Sequence, residues 1–344
     1  MQITALAGGI GGARFLSGLL EHLRTAYPDG SGGTTADVTV IGNTGDDVWV
    51  HGLRVCPDLD TVMYTLGGGI SAERGWGREG ETFVVKDELA AYEVQPDWFG
   101  LGDKDIATHL VRLQLLNAGY PLSAITEALC TRWRPGVRLL PMTDDRAETH
   151  VVVDDPDGGR DPRGEPLRRA IHFQEWWVRW RASLPAHGFT VVGIEDARPA
   201  PGVLEAITEA DVLLLPPSNP VVSIGTILAV PGVRDAVRAT AAPVVGVSPI
   251  VGGAPVRGMA DACLAAIGVE TTAAAVGGHY GARRGEPGGG VLDGWLVDTS
   301  DADSVHDVEA MGIRCRAVPL LMSDPGATAA MAAAALDVAS QVAP

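Results

Sequence analysis

Four carboxylates fall within fifteen residues of this 344-residue chain: Asp46 and Asp47 in NTGDD (Asn43 to Asp47), Asp58 and Asp60 in PDLD (Pro57 to Asp60). They stand at or just beyond the end of a strand-like run, DVTVI, and in an open α/β sheet the carboxyl ends of the strands form the ligand edge. Acidic groups there repel a diphosphate unless a divalent cation lies between them. Mg²⁺ suits such a place, since it is commonly held by one or two carboxylates and completed by substrate phosphates. At least one of the four is expected to be a metal ligand or a base. At least one, Asp46 or Asp58, is expected to do no more than cap a helix.

Three further groups of residues fit the same edge. GGIGGAR (Gly8 to Arg14) follows the first strand-like run. Its glycines allow a sharp turn and close backbone approach, and the helix after it offers free N–H groups and a positive dipole to a phosphate. The turn lacks the Lys-Ser/Thr ending of a P-loop and the spacing of GxGxxG, and the second strand ends in Asn-Thr with no acidic residue placed for a ribose. Those gaps count against an NAD-dependent dehydrogenase. LGDKDIATHLVR (Leu101 to Arg112) sets His109 one turn beyond Asp105 on one helix face, with Lys104 and Arg112 as cations within reach of a substrate. LLLPPSNPVVSIGTIL (Leu213 to Leu228) runs from an apolar strand through Ser218 and Asn219 to Ser223 and a helix start, which suits contact with a base, ribose or phosphate. VGVSPIVGGAPVRG (Val245 to Gly258) repeats that design after the next strand.

The elements that must position these residues read as a Rossmann-like, doubly wound, mostly parallel sheet. Strands are expected at Met1–Ala7, Ala36–Ile41, Thr190–Ile194, Asp211–Leu215 and Pro243–Val247, the last three resuming a parallel-sheet signature with helices between them. Other strands fall at Arg138–Pro141 and Thr149–Val153. Helices are expected at Phe15–Ala26, Pro57–Leu66, Asp105–Ala118, Leu122–Thr131 and Ala327–Val342, so that residues at about 60–135 form a mainly helical insertion in one domain spanning 1–344. The glycine-rich stretch 285–294 reads as a mobile loop inside the fold.

Composition narrows the class. The formal net charge of −17 disfavours nucleic acid and anionic membrane as partners. Cys56, Cys130, Cys263 and Cys315 are far apart with no CxxC pair, which reads as four reduced thiols. No signal-peptide pattern and no uninterrupted apolar run of spanning length is present, so a cytoplasmic protein is expected.

Taken in order, GGIGGAR, NTGDD, PDLDTVMYTL, LGDKDIATH, LPMTDD, HFQEWWV, PPSNPVVSIGTIL and SPIVGGAPVRG resemble the 2-phospho-L-lactate transferase family from Gly8 to about Asp324. The resemblance implies a Mg²⁺-dependent enzyme of coenzyme F-420 biosynthesis. Such an enzyme joins the phospho-acid part of a guanylyl-activated donor to the ribityl hydroxyl of Fo (7,8-didemethyl-8-hydroxy-5-deazariboflavin), and GMP leaves. The Ala-, Gly- and Arg-rich composition suits an actinobacterial member, in which the acid is phosphoenolpyruvate and the product dehydro coenzyme F-420-0. By the same resemblance Asp47 and Asp60 hold the metal or take the hydroxyl proton. Gly9, Gly11, Gly12, Arg14, Asn43, Thr44, Asp46 and Asp58 contact substrate from the first half of the chain, as do Lys104, His109, Ser218, Asn219 and Ser223 further on. A homodimer is the default assembly. The alternative is a non-catalytic, UDP-sugar-binding regulatory protein of a related fold with a similar glycine motif. The two differ in ligand, because the regulator would take up the UDP-sugar and ignore Fo.

Overall fold

The strand, glycine turn and helix read from the first residues are β1 (Gln2–Ala7) and α1 (Gly9–Ala26) in a computed structural model that describes residues 1–284 and 289–342. Phe15, Leu16, Leu19, Leu20 and Leu23 recur at helical spacing on α1 and are buried. Strand β2 (Asp37–Gly42) comes next, then a hairpin of β3 (Val48–Val50) and β4 (Leu53–Val55). Four helices follow: α2 (Pro57–Leu66), α3 (Val84–Ala91), α4 (Asp103–Asn117) and α5 (Leu122–Trp133). Strands β5 (Arg138–Pro141), β6 (Glu148–Asp154), β7 (Arg168–His172) and β8 (Gly188–Val192) close the first half. The second half begins with α6 (Val203–Thr208), β9 (Val212–Leu215), α7 (Gly225–Ala229), α8 (Val233–Ala239) and β10 (Val244–Val247). A small hairpin, β11 (Ile250–Val251) and β12 (Ala254–Pro255), precedes α9 (Ala260–Ala266) and α10 (Ala273–Tyr280). The chain ends with β13 (Gly294–Val297), α11 (Ser304–Ala310), β14 (Arg314–Ala317) and α12 (Pro325–Val342).

Among the described residues seven strands form one parallel sheet in the order β5-β2-β1-β9-β10-β13-β14. The chain builds outward from β1 in one direction, then crosses over to β9 and builds in the other. The strand order therefore reverses between β1 and β9, the crevice where open α/β sheets bind ligands. β9, β10 and β13 are buried along their whole length, as strands covered by helices on both faces must be. One apolar core lies under α1, α2, α5 and α12, and a second under α6 to α11.

The structure corrects one reading and adds detail to two others. The segment expected at Thr190–Ile194 is β8, and it joins β6 and β7 in a separate antiparallel sheet, with Val151 opposite Phe189. None of β8 is fully buried: Phe189 and Val191 are half-buried on one face and Val192 is exposed on the other, which suits a small antiparallel sheet and not a parallel one covered on both faces. Helix α3 lies inside the insertion expected to be mainly helical, as a helix that was not assigned from sequence, and none of its residues is buried. In the glycine-rich stretch, residues 285–288 lie outside the described residues and Gly294 opens β13. Among the described residues no single helix is long and apolar enough to cross a membrane.

Candidate active site at the strand-order switch

The loops after β1 and β9 are stitched together where the strand order reverses. Ser218 donates its hydroxyl to the Gly8 carbonyl (2.8 Å) and accepts from the Gly8 N–H (3.2 Å). Gly9 has φ +62, a left-handed conformation that favours glycine. The loop lies so close to α1 that a Cβ on Gly11 would stand 2.2 Å from the Pro217 carbonyl oxygen, and one on Gly12 2.8 Å from Ser218 Oγ. Gly11→Ala is accordingly expected to cost about 1–3 kcal/mol of stability, the scale of core overpacking, read as a lower denaturant midpoint at unchanged slope.

The start of α1 has no side-chain cap of its own. Asp58 approaches it from α2. It accepts from Asn43 Nδ2 at 2.9 Å and lies against Gly8 and Gly9 at the helix start, where the dipole favours a carboxylate. The Asp58 carboxylate therefore stands at the helix start where the glycine turn was expected to meet a phosphate. Asn43 also accepts from Gly45 N–H (2.9 Å), and Ser223 packs over Gly8. The side chain of Asn219 accepts from Val221 and Val222 N–H (2.9 and 3.2 Å), and its amide reaches Cys263 Sγ at 3.3 Å.

Asp47 and Asp60 share one design. Arg54 holds Asp47 Oδ2 (Nε 3.1 Å, Nη2 3.0 Å), and Cys56 Sγ lies 3.0 Å from the same oxygen. Arg112 Nη2 holds Asp60 Oδ1, and Arg112 Nη1 donates to the Arg54 carbonyl at 3.2 Å, which links the two pairs. In each carboxylate the other oxygen, Asp47 Oδ1 and Asp60 Oδ2, is buried with no hydrogen-bond partner; Asp46 Oδ1 and Thr44 Oγ1 are in the same condition. Buried polar atoms are nearly always paired, so these four unpaired oxygens are candidates for contact with a ligand.

Charge makes the same point. Asp46, Asp47, Asp58 and Asp60 are 5–7% exposed, and among the described residues their arginine partners are Arg54 and Arg112. The two without an arginine respond. Burial, and then Asp58, drives Asp46 well above the usual carboxylate range, and burial pushes Asp58 up to about 6 against the hydrogen bonds from Asn43 and Gly9. Burial also raises Asp47, with Arg54 opposing it. A divalent cation would cancel the charge the two arginines leave over. Among the described residues no three His, Cys, Asp or Glu side chains converge as a ready cage. The donor set therefore fits an ion completed by substrate oxygens, the usual manner of Mg²⁺, and not an all-protein site.

The remaining predicted residues lie further out. His109 is fully buried behind Asp60, with Nδ1 2.9 Å from Arg112 Nη1. Lys104 is exposed and donates to the Glu79 carbonyl (2.8 Å); Arg14 is exposed on α1. Neither has a hydrogen bond or ion pair to the aspartates among the described residues. Other side chains went unread in sequence. His172 Nε2 sits 3.1 Å from the Asp47 carbonyl and Gln174 Nε2 donates to the Asp46 carbonyl (3.4 Å), so the small antiparallel sheet clamps the backbone of NTGDD. Their motif, HFQEWWV, carries no spacing that points to this task. All four cysteines are free.

Comparison with known proteins follows this geometry. A family model described as 2-phospho-L-lactate transferase CofD matches residues 3–321. Curated relatives named phosphoenolpyruvate transferase include one from Streptomyces griseus at 66% identity and one from Thermobifida fusca at 64%, each alignment covering 99% of both chains. Another, from Mycobacterium avium, is 60% identical over 98% of this chain and 99% of its own. Among solved structures, a Bacillus halodurans protein of the UPF0052 family superposes with a TM-score of 0.57 at 17% identity, covering 97% of this chain and 99% of its own. That last likeness concerns the fold alone.

Proposed function

The chain belongs to the 2-phospho-L-lactate transferase CofD family and is an enzyme of that family, and from this premise we propose that it moves a phosphoenolpyruvyl group from a guanylyl-activated donor to the ribityl hydroxyl of Fo, releasing GMP. The observation that carries this reading is the pair of buried aspartates, each with one oxygen tied to an arginine and the other unpaired, on the segments that follow β2. The names of the 60–66% identical relatives favour phosphoenolpyruvate over phospholactate as the acid, and a catalyst over a UDP-sugar-binding regulator.

In the proposed reaction the Fo hydroxyl oxygen bonds to the phosphorus that bears the three-carbon acid, and the bond from that phosphorus to the GMP oxygen breaks. Bound Mg²⁺ supplies charge neutralisation for the transferring group and the departing GMP. Asp47 Oδ1 and Asp60 Oδ2 are the atoms that would hold the ion and take the hydroxyl proton between them. Arg54 and Arg112 fix the orientation of both carboxylates, and the His172 and Gln174 clamp fixes the loop that carries Asp47. The loop containing Ser218, Asn219 and Ser223 forms the opposite wall, towards guanosine or Fo. A homodimer in the cytoplasm completes the proposal. Incubation with Fo, Mg²⁺ and each activated acid, followed by mass spectrometry, is expected to give dehydro coenzyme F-420-0 and GMP from the phosphoenolpyruvyl donor. Absence of any Fo adduct with either donor would refute the reading.

A further inference from the structure

We propose that Arg112 is a positioning residue that aims the free oxygen of Asp60 into the site, and that His109 is the prop that holds Arg112 in place. The inference rests on the reading of Asp60 as a metal-holding or proton-taking carboxylate.

Arg112 is 2% exposed, so it is not a cation that meets substrate from solution. Both ends of its planar fork are engaged, Nη2 on Asp60 Oδ1 and Nη1 on His109 Nδ1 (2.9 Å) and the Arg54 carbonyl (3.2 Å). A guanidinium can only donate, so His109 Nδ1 is the acceptor and the ring proton sits on Nε2, which faces Asp105 Oδ2 at 3.5 Å. Asp105 Oδ1 in turn accepts from the Tyr64 hydroxyl at 2.7 Å. Asp60 and Tyr64 are one turn apart on α2; Asp105, His109 and Arg112 lie along one face of α4. The chain of contacts therefore leaves α2 at Asp60, runs back along α4 and returns to α2 at Tyr64. The two helices are thus joined at two points, and Asp60 Oδ2 is left without a hydrogen bond, its neighbour His109 Nδ1 standing 3.8 Å away. Outer partners that fix a ligating carboxylate in this way matter to metal binding nearly as much as the ligand does.

A guanidinium that only neutralised Asp60 would predict the opposite of one that positions it. Removing a neutraliser tightens cation binding, and removing a positioner loosens it. The test is binding of Mn²⁺, read by electron paramagnetic resonance, alone and with GDP. The proteins are wild type, Asp60→Asn, Arg112→Gln, Arg112→Lys, His109→Leu and His109→Gln, each checked for cooperative thermal unfolding. Asp60→Asn and Arg112→Gln are expected to weaken Mn²⁺ binding by about 10–100-fold. His109→Leu, which removes the acceptor, is expected to weaken it in the same direction. His109→Gln, which returns an oxygen acceptor, recovers most of the loss. Arg112→Gln binding Mn²⁺ as tightly as wild type, or more tightly, overturns the proposal while leaving the role of Asp60 intact. An unchanged Asp60→Asn removes the premise and the inference together. If the Arg112 variants do not fold, the contrast between His109→Leu and His109→Gln decides, and equal binding by the two overturns the proposal.

Discussion

Asp60→Asn is expected to lower kcat by roughly 10²–10³-fold, the scale on which one preorganised electrostatic contact to a developing charge is lost. Asparagine is the informative replacement because its oxygen still accepts from Arg112. Alanine would strand a buried guanidinium, and breaking a buried ion pair from one side costs about 3–5 kcal/mol. The predicted signature is a cooperative unfolding transition close to wild type, a large fall in kcat and a weaker response to Mg²⁺. Full turnover with an unchanged Mg²⁺ response would remove Asp60 from the chemistry. Asp47→Asn is expected to behave similarly, since Arg54 holds its Oδ2 while Oδ1 stays unpaired. The equivalence of the two residues lies in that shared geometry, not in their positions along the chain.

How much of this was legible in the sequence depends on range. β1, the glycine turn and α1 follow from local pattern, as do α2 with Pro57 in its first turn and the buried strands β9 and β10. The parallel direction of the main sheet follows from the alternation of strand and helix. Contacts that cross the fold were not legible. Asp58 lies at the start of α1 and Asp60 meets α4 because residues two apart on a helix point to nearly opposite sides, so the compact motif PDLD serves two places at once. His109 was visible as a residue one turn from Asp105, but its burial behind Asp60 depends on how α4 packs against α2. β8 misled because five mostly apolar residues between turns look alike in a parallel sheet and in a small antiparallel one. His172 and Gln174 gave no local sign that they hold a loop more than a hundred residues earlier.

The crowded carboxylates also predict how stability responds to pH. Asp58 is pushed from 3.8 up to about 6 by burial, so between those values the folded chain binds a proton that the unfolded chain has released. A raised carboxylate stabilises the fold below its unfolded value, and that contribution is lost as pH climbs through the folded one. Two units correspond to about 3 kcal/mol, and the raised Asp46 and Asp47 act in the same direction. The melting temperature of the metal-free protein is therefore expected to fall as pH rises from about 4 to about 6, the window that the Asp58 shift defines. General repulsion within a chain of net charge −17 would produce a fall of the same sign, so the comparison must be with a variant. Asp58→Asn removes one titration but sets an amide against the donors of Asn43 and Gly9, at a pH-independent cost of about 1–3 kcal/mol. Its melting curve should start lower than wild type in acid and run flatter, so that the gap closes towards neutrality. Mg²⁺ with GDP should raise the wild-type midpoint more at neutral pH than in acid, because only the ionised cluster has charge to give the ion. Parallel curves for wild type and Asp58→Asn would show that Asp58 is not the strained acid, and a ligand effect independent of pH would show that the cluster does not hold the cation.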